Sequence, residues 1–325
     1  MSERTIQEQI VKYLADIHAI EEQALVQMKV APKIAGDATL AAAFERHIGE
    51  TEEQKRRVEE RLEALGGSPS KVKDIAGTAT APAFALFAKF QPDTPGKLTS
   101  HAFSYEHMEL AAYEILSRIA ERADDQETVR VAKEIAGQEN EMARRLSGNW
   151  DVAVNASLGD VDPDDLGDQL NKYLSDAHAI ESQAEQMLKK AIDIGGDPKL
   201  SQDYKQHLEQ TKKHKSLIEE RLEARGASPN AIKDAAMKLG ALNWGTFFAA
   251  QPDTPAKLAG FAYAFEHLEI ASYEQLRRVA ERAGDESAAG VAQMILPEER
   301  HAAETIWDGF DRAIDASLES VGVTA

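Results

Sequence analysis

Glu21, His47, Glu109 and Glu139 each stand in the middle of a separate apolar stripe of helical spacing. The first stripe reads Leu14, His18, Glu21, Leu25, Met28, and the second Leu40, Phe44, His47, Thr51, Gln54, Val58, Leu62. The third reads Leu98, Ala102, Tyr105, Glu109, Tyr113, Leu116, and the fourth Ala132, Ile135, Glu139, Met142, Leu146. Residues three and four apart share a helix face, so these stripes turn inward and carry their ionisable members with them. Glu106 lies one turn before Glu109, and Glu50 follows His47 at i+3. A carboxylate taken out of water is costly unless it is paired, protonated or bound to a cation. Four carboxylates balance two divalent cations in charge, and histidine adds a neutral nitrogen donor suited to iron and other transition metals. Carboxylates on four helices, with a histidine, form the pattern of a dinuclear metal centre in a helix bundle.

Four helices must position these groups. The first is expected over roughly residues 4–30. The second starts near Asp37 or Thr39 and ends at Gly66-Gly67. The third starts at Asp93-Thr94-Pro95, where Thr94 can cap and Pro95 suits the first helical position. The fourth runs from Asp124-Asp125 to about Gly148. Residues 68–92, with Phe84, Leu86, Phe87 and Phe90, form a connection long enough to cross the bundle and are expected to hold short helices. Strand alternation is nowhere sustained. The expected fold is all-α, a four-helix bundle with one long crossover.

The chain contains this unit twice. Lys12-Tyr13-Leu14 returns as Lys172-Tyr173-Leu174, and Gln91-Pro92-Asp93-Thr94-Pro95 returns as Gln251-Pro252-Asp253-Thr254-Pro255. A period this long marks a duplicated domain, since solenoid repeats are about 20–50 residues. The expected division is a bundle over 1–158, an acidic linker over 159–165 and a second bundle over 166–325, packed as a pseudo-twofold pair. The second unit keeps Glu181, His207, Glu266, Glu269 and Glu299. It differs at Gln210 for Glu50, His214 for Gln54 and His301 for Glu141. His214, Glu298 and His301 are the candidates to replace the missing carboxylate.

Ordinary packing explains other residues. Taken singly, His18 and His47 also read as satisfied core histidines, and the second histidine of each site is open among His18, His107 and their counterparts His178 and His267. Tyr105, Tyr113, Phe265 and Tyr273 read as core packing rather than redox relays. Glu59, Glu60 and Glu63 with Arg57 and Arg61 read as a solvated charged face. Glu114, Glu121 and Arg122 read as surface charges.

Composition narrows the function further. There is no cysteine, which excludes disulfides, thiolate metal sites and cysteine nucleophiles. The formal net charge of −19 argues against binding nucleic acid backbones. No run approaches the length of a membrane span, and the N-terminus leads directly into a helical pattern. Cytoplasmic location is the expectation.

Three segments carry a resemblance. Ala19-Ile20-Glu21-Glu22-Gln23, His47-Ile48-Gly49-Glu50-Thr51-Glu52-Glu53-Gln54 and the run from Tyr105 to Tyr113 are similar to the YciE/YciF-type ferritin-like metal-binding proteins. This chain resembles two such units in tandem. The resemblance implies metal-ligand roles for Glu21, His47, Glu50, Glu106, Glu109 and Glu139. In the second unit it implies them for Glu181, His207, Glu266, Glu269 and Glu299, with Gln210 departing from the motif. It also implies an association with stress responses. The expected cofactor is dinuclear iron, with manganese or a mixed pair as variants. The expected partners are metal ions with O2 or peroxide, and a homo-oligomer is open. The function expected is oxidation of Fe(II) or turnover of O2 or peroxide. The alternatives are a non-catalytic metal-binding or structural stress protein and, further off, iron storage.

Overall fold

The structure, a computed structural model, describes residues 5–68, 95–227 and 254–323. All regular structure among the described residues is helical. The first half contains α1 (Ile6–Met28), α2 (Ala31–Ile34), α3 (Ala38–Ala64), α4 (Pro95–Arg122), α5 (Gln126–Ser147) and α6 (Trp150–Leu158). A 3-10 turn at Pro163–Asp165 leads into α7 (Leu166–Ile194), α8 (Pro198–Ala224), α9 (Thr254–Arg282), α10 (Glu286–Asp308) and α11 (Phe310–Ser320). The crossover expected over 68–92, with its short helices, lies from residue 69 onward outside the described residues, as does its counterpart.

Local chemistry sets the helix ends. Thr5 and Glu8 form a reciprocal capping box at the start of α1. Asp37, Asp125, Asp197 and Asp285 each accept a first-turn amide, which satisfies donors that have no partner within the helix. Gly66 closes α3 with φ 78°, a left-handed turn natural to glycine, and Gly67 N donates back to the Leu62 carbonyl. The first helix is shorter than the expected 4–30, because the chain breaks after Met28 and restarts as α2 with Pro32 in its first turn.

In the first half α1 packs on α3 and α4, and α5 packs on α3 and α4. In the second, α7 packs on α8 and α9, and α10 packs on the same two. Two four-helix bundles result. All seven residues of the second stripe are buried, and in the third only Ala102 is half-buried.

The halves meet along α4 and α9. His107 and His267 stack there with ring centroids 3.5 Å apart and planes 14° apart. Each ring donates from Nδ1 to a carbonyl on its own helix, Phe103 O at 2.7 Å and Tyr263 O at 2.8 Å. Gln275 Nε2 donates across the seam to Gly96 O at 2.7 Å and Ser100 Oγ at 2.8 Å. A Cβ at Gly96 would sit 2.6 Å from Gln275 Oε1 and 2.9 Å from the Tyr173 hydroxyl, so any larger residue would push these side chains from their places at the seam. The short helices α6 and α11 each contact both α4 and α9 and span the seam. Arg122, read as a surface charge, pairs across it with Asp311 at 3.1 Å and Asp315 at 2.9 Å.

The charged face of α3 is also arranged differently from the expectation. Arg57 reaches Glu134 and Arg61 reaches Asp125, both across to the α5 side. Glu59 accepts from His18 Nε2 at 2.6 Å and also lies 4.0 Å from Lys55 Nζ on its own helix. The long arginines can bridge to α5 because α3 and α5 are neighbours.

Candidate metal centre

In the first half, α3 delivers His47 to the bundle axis with no solvent exposure. Its Nε2 lies 3.0 Å from Glu106 Oε2 on α4 and 3.2 Å from Glu139 Oε2 on α5. Atoms of His47, Glu106, Glu109 and Glu139 lie within 4.8 Å of one another, close enough to hold one ion. Glu21 comes from α1, fully buried, and accepts a hydrogen bond from the Tyr113 hydroxyl. It is not one of that quartet. Glu50 lies at the edge, a quarter exposed, with Oε2 3.0 Å from His47 Nδ1 and 3.6 Å from Arg145.

The second half repeats the quartet with His207, Glu266, Glu269 and Glu299. His207 Nε2 is 2.9 Å from Glu266 Oε2 and 3.9 Å from Glu299 Oε2. A second group joins it here. His214 Nδ1 lies 2.9 Å from Glu299 Oε1 and 3.6 Å from Glu181 Oε1, and Glu181, His214 and Glu299 are again close enough to hold an ion. Glu299 belongs to both groups. Tyr273 donates to Glu181 as Tyr113 does to Glu21. Gln210 takes the place of Glu50, with Oε1 3.4 Å from His207 Nδ1. Glu298 accepts from His214 Nε2 at 3.0 Å, and His301 is largely exposed.

The donor set fits a cation. Buried polar atoms nearly always have a hydrogen-bond partner. Both oxygens of Glu139, Glu266, Glu269 and Glu299 lack one, as do His47 Nε2, His207 Nε2 and His214 Nδ1. These orphaned atoms sit in the two clusters, and oxygen with imidazole nitrogen is a donor set that suits first-row transition metals.

The electrostatics agree. Burial pushes the Glu109 and Glu139 carboxyls well above the ordinary carboxylate range, with neighbouring carboxylates adding to it. Glu21 rises to about 8, chiefly through burial, against the Tyr113 hydrogen bond and His47. Glu181 rises to about 7 for the same first reason, with Glu299 next. Burial disfavours charge on the His207 and His214 rings, but the adjacent carboxylates outweigh it and raise them to about 9 and about 11. Each cluster therefore retains protons that a divalent cation would displace.

The other histidines lie elsewhere. His18 and His178 bond Glu59 and Glu219, and His107 and His267 form the stack at the seam. Of the three residues expected to stand in for the missing carboxylate, His214 joins the buried group, and the Tyr113 and Tyr273 hydroxyls, expected only to pack, bond Glu21 and Glu181. The signal for His214 was its place on the inward stripe Leu200, Tyr204, His207, Thr211, one helical turn further on.

The profile of a family described as a domain of unknown function, DUF892, matches residues 5–159 and again residues 165–319. The chain belongs to the DUF892 family. Its two family units correspond to the two bundles, and each carries one of the buried clusters. No solved structure matches the chain. No helix among the described residues is long and apolar enough to cross a membrane.

Proposed function

We propose that this tandem DUF892 protein is a ferritin-like, stress-associated, cytoplasmic protein that holds a dinuclear iron or manganese centre in each bundle. We assign Glu21, His47, Glu50, Glu106, Glu109 and Glu139 as ligands in the first. We assign Glu181, His207, Glu266, Glu269 and Glu299 in the second. One observation carries this reading: buried carboxylate and imidazole atoms with no hydrogen-bond partner converge within 4.8 Å in both halves. Each cluster holds more buried carboxylate oxygens than its histidines can satisfy, and a cation is the partner that satisfies them together.

When bound, such a metal pair supplies cycling between the +2 and +3 states, which suits oxidation of Fe(II) or reduction of O2 or peroxide. The chain's own residues prepare the site. Glu50 Oε2 lies 3.0 Å from His47 Nδ1 and Gln210 Oε1 3.4 Å from His207 Nδ1, each beside a ring whose Nε2 faces the buried carboxylates. Tyr113 and Tyr273 fix Glu21 and Glu181 by hydrogen bonds. Leu14, Val58, Leu116 and Ile135, on the same four stripes as the cluster residues, are fully buried.

A non-catalytic role, in which ions only brace the bundle, is favoured for the first half by the close internal pairing of His47 with Glu106 and Glu139. Activity assays separate the two. Fe(II) oxidation and peroxide consumption should be present in the metal-loaded protein and lost together with bound metal in the Glu109→Ala/Glu269→Ala double variant. Turnover that survives the loss of metal would sink the reading.

A further inference from the structure

The two clusters differ in how they meet solvent. A cavity of about 210 Å³ opens on the second half, with His207 and Gln210 among its walls and Asp203, His301 and Thr305 beside them. His207 is 6% exposed, whereas His47 is 0% exposed. The register between the repeats explains the difference residue by residue. Thr305 replaces Arg145, Ala302 replaces Met142, Gln210 replaces Glu50 and His301 replaces Glu141.

In the first half these positions close over the cluster. Arg145 NH1 lies 3.6 Å from Glu50 Oε2, and its Nε lies 3.5 Å from Glu141 Oε1. Met142 beneath it is fully buried. In the second half the arginine is gone, the methionine is cut back to alanine, and the carboxylates are a neutral amide and an imidazole. The space that opens leads to His207, whose Nε2 is buried without a hydrogen-bond partner.

We propose that this cavity is the entry passage for a hydrated divalent cation to the second cluster, and that Arg145 seals the corresponding passage in the first. The walls suit the cargo. Gln210 offers an oxygen and His301 at the rim a nitrogen, donors that exchange with hydration water, while Asp203 balances Lys199 in the same wall and leaves that pair neutral. Arg145, held between Glu50 and Glu141, lays its long side chain over the first cluster and closes it by bulk. The second cluster therefore exchanges ions readily and the first holds them. This rests on the metal-binding reading above.

The test follows metal leaving the full-length chain. Protein loaded with Co(II), its content fixed by mass spectrometry, is mixed with excess chelator in a stopped-flow spectrometer, and the visible absorption is followed. Two phases are expected, the fast one absent from Glu269→Ala and the slow one absent from Glu109→Ala. Thr305→Arg should slow the fast phase and leave the slow one. Arg145→Thr should speed the slow phase, each change about tenfold, the effect of a modest change in barrier. Equilibrium content should stay the same in both mouth variants. Normal content with a single phase, or with phases that neither variant moves, would overturn the passage and leave the metal reading standing. A chain that takes up no Co(II), Fe(II) or Mn(II) would overturn both.

Discussion

Replacing Glu21 by glutamine should stabilise the metal-free protein at neutral pH while weakening its metal binding. The Glu21 carboxyl is fully buried and pushed up to about 8 from the ordinary 4.5, so at pH 7 it is neutral in the fold and ionised in the unfolded chain. A group whose pKa rises on folding contributes stability below its unfolded value and loses it as pH climbs toward the folded one. From pH 4.5 to 7, at 1.36 kcal/mol per pH unit, the loss is ~3 kcal/mol. Glutamine removes that penalty and still accepts the Tyr113 hydroxyl through its carbonyl oxygen. Its new amide donors need partners, which reduces the gain to ~2 kcal/mol. With an unfolding entropy of about 2.1 cal/mol/K per residue over 325 residues, the melting temperature should rise by ~3 °C. At pH 5 the gain should shrink to under about 1 kcal/mol. The assay is thermal or urea unfolding of chelator-treated wild type and Glu21→Gln at both pH values, beside a metal titration. A gain of equal size at pH 5 and pH 7 would refute the reasoning, as would a loss of stability at pH 7.

Other outcomes follow from the same geometry. Stability of the metal-free protein should fall from pH 5 to pH 8, because raised carboxyls such as Glu109, Glu139 and Glu269 keep protons that the unfolded chain releases. Metal-loaded protein should show the opposite slope, since ions bind deprotonated ligands, and parallel slopes in melting curves would count against this. His214→Gln reproduces Gln54 of the first half and should weaken metal binding to the second by roughly tenfold or more, read by calorimetric titration of a Glu109→Ala background. Gln275→Ala strips a buried amide of its two bonds across the seam and should cost about 2–3 kcal/mol, seen as a lower urea midpoint with an unchanged slope.

Much of this was legible from spacing alone. The seven-residue stripe of α3 was buried as read, because 3.6-residue periodicity states directly which face turns inward. Asp37 and Asp125 marked helix starts through capping chemistry that is local in sequence. The seam was harder to see. The stacking of His107 on His267 and the reach of Arg122 to Asp311 join residues far apart in the chain, and no local pattern encodes which face of α4 meets α9. The break after Met28 and the short α2, α6 and α11 are not legible in the sequence, because helices of one to three turns carry too little periodicity to stand out. Within the site, helical spacing placed the carboxylates on inward faces. It did not show that Glu299 would belong to two groups or that Glu50 would lie at the rim beside Arg145. Those depend on the relative rotation and depth of packed helices, which side-chain volume at positions such as Met142 and Ala302 controls.

Each bundle is proposed to hold its own metal centre. Metal content per chain, measured by plasma mass spectrometry on protein purified without chelators or a metal-affinity column, tests it most directly when Glu109→Ala and Glu269→Ala are run alongside. The expected result is two ions per bundle of iron or manganese, with each variant losing the ions of its own half and keeping those of the other. A wild-type chain that carries no metal and takes up neither iron nor manganese on reconstitution would contradict the account and leave the buried carboxylates as partners of His47, His207 and His214 alone.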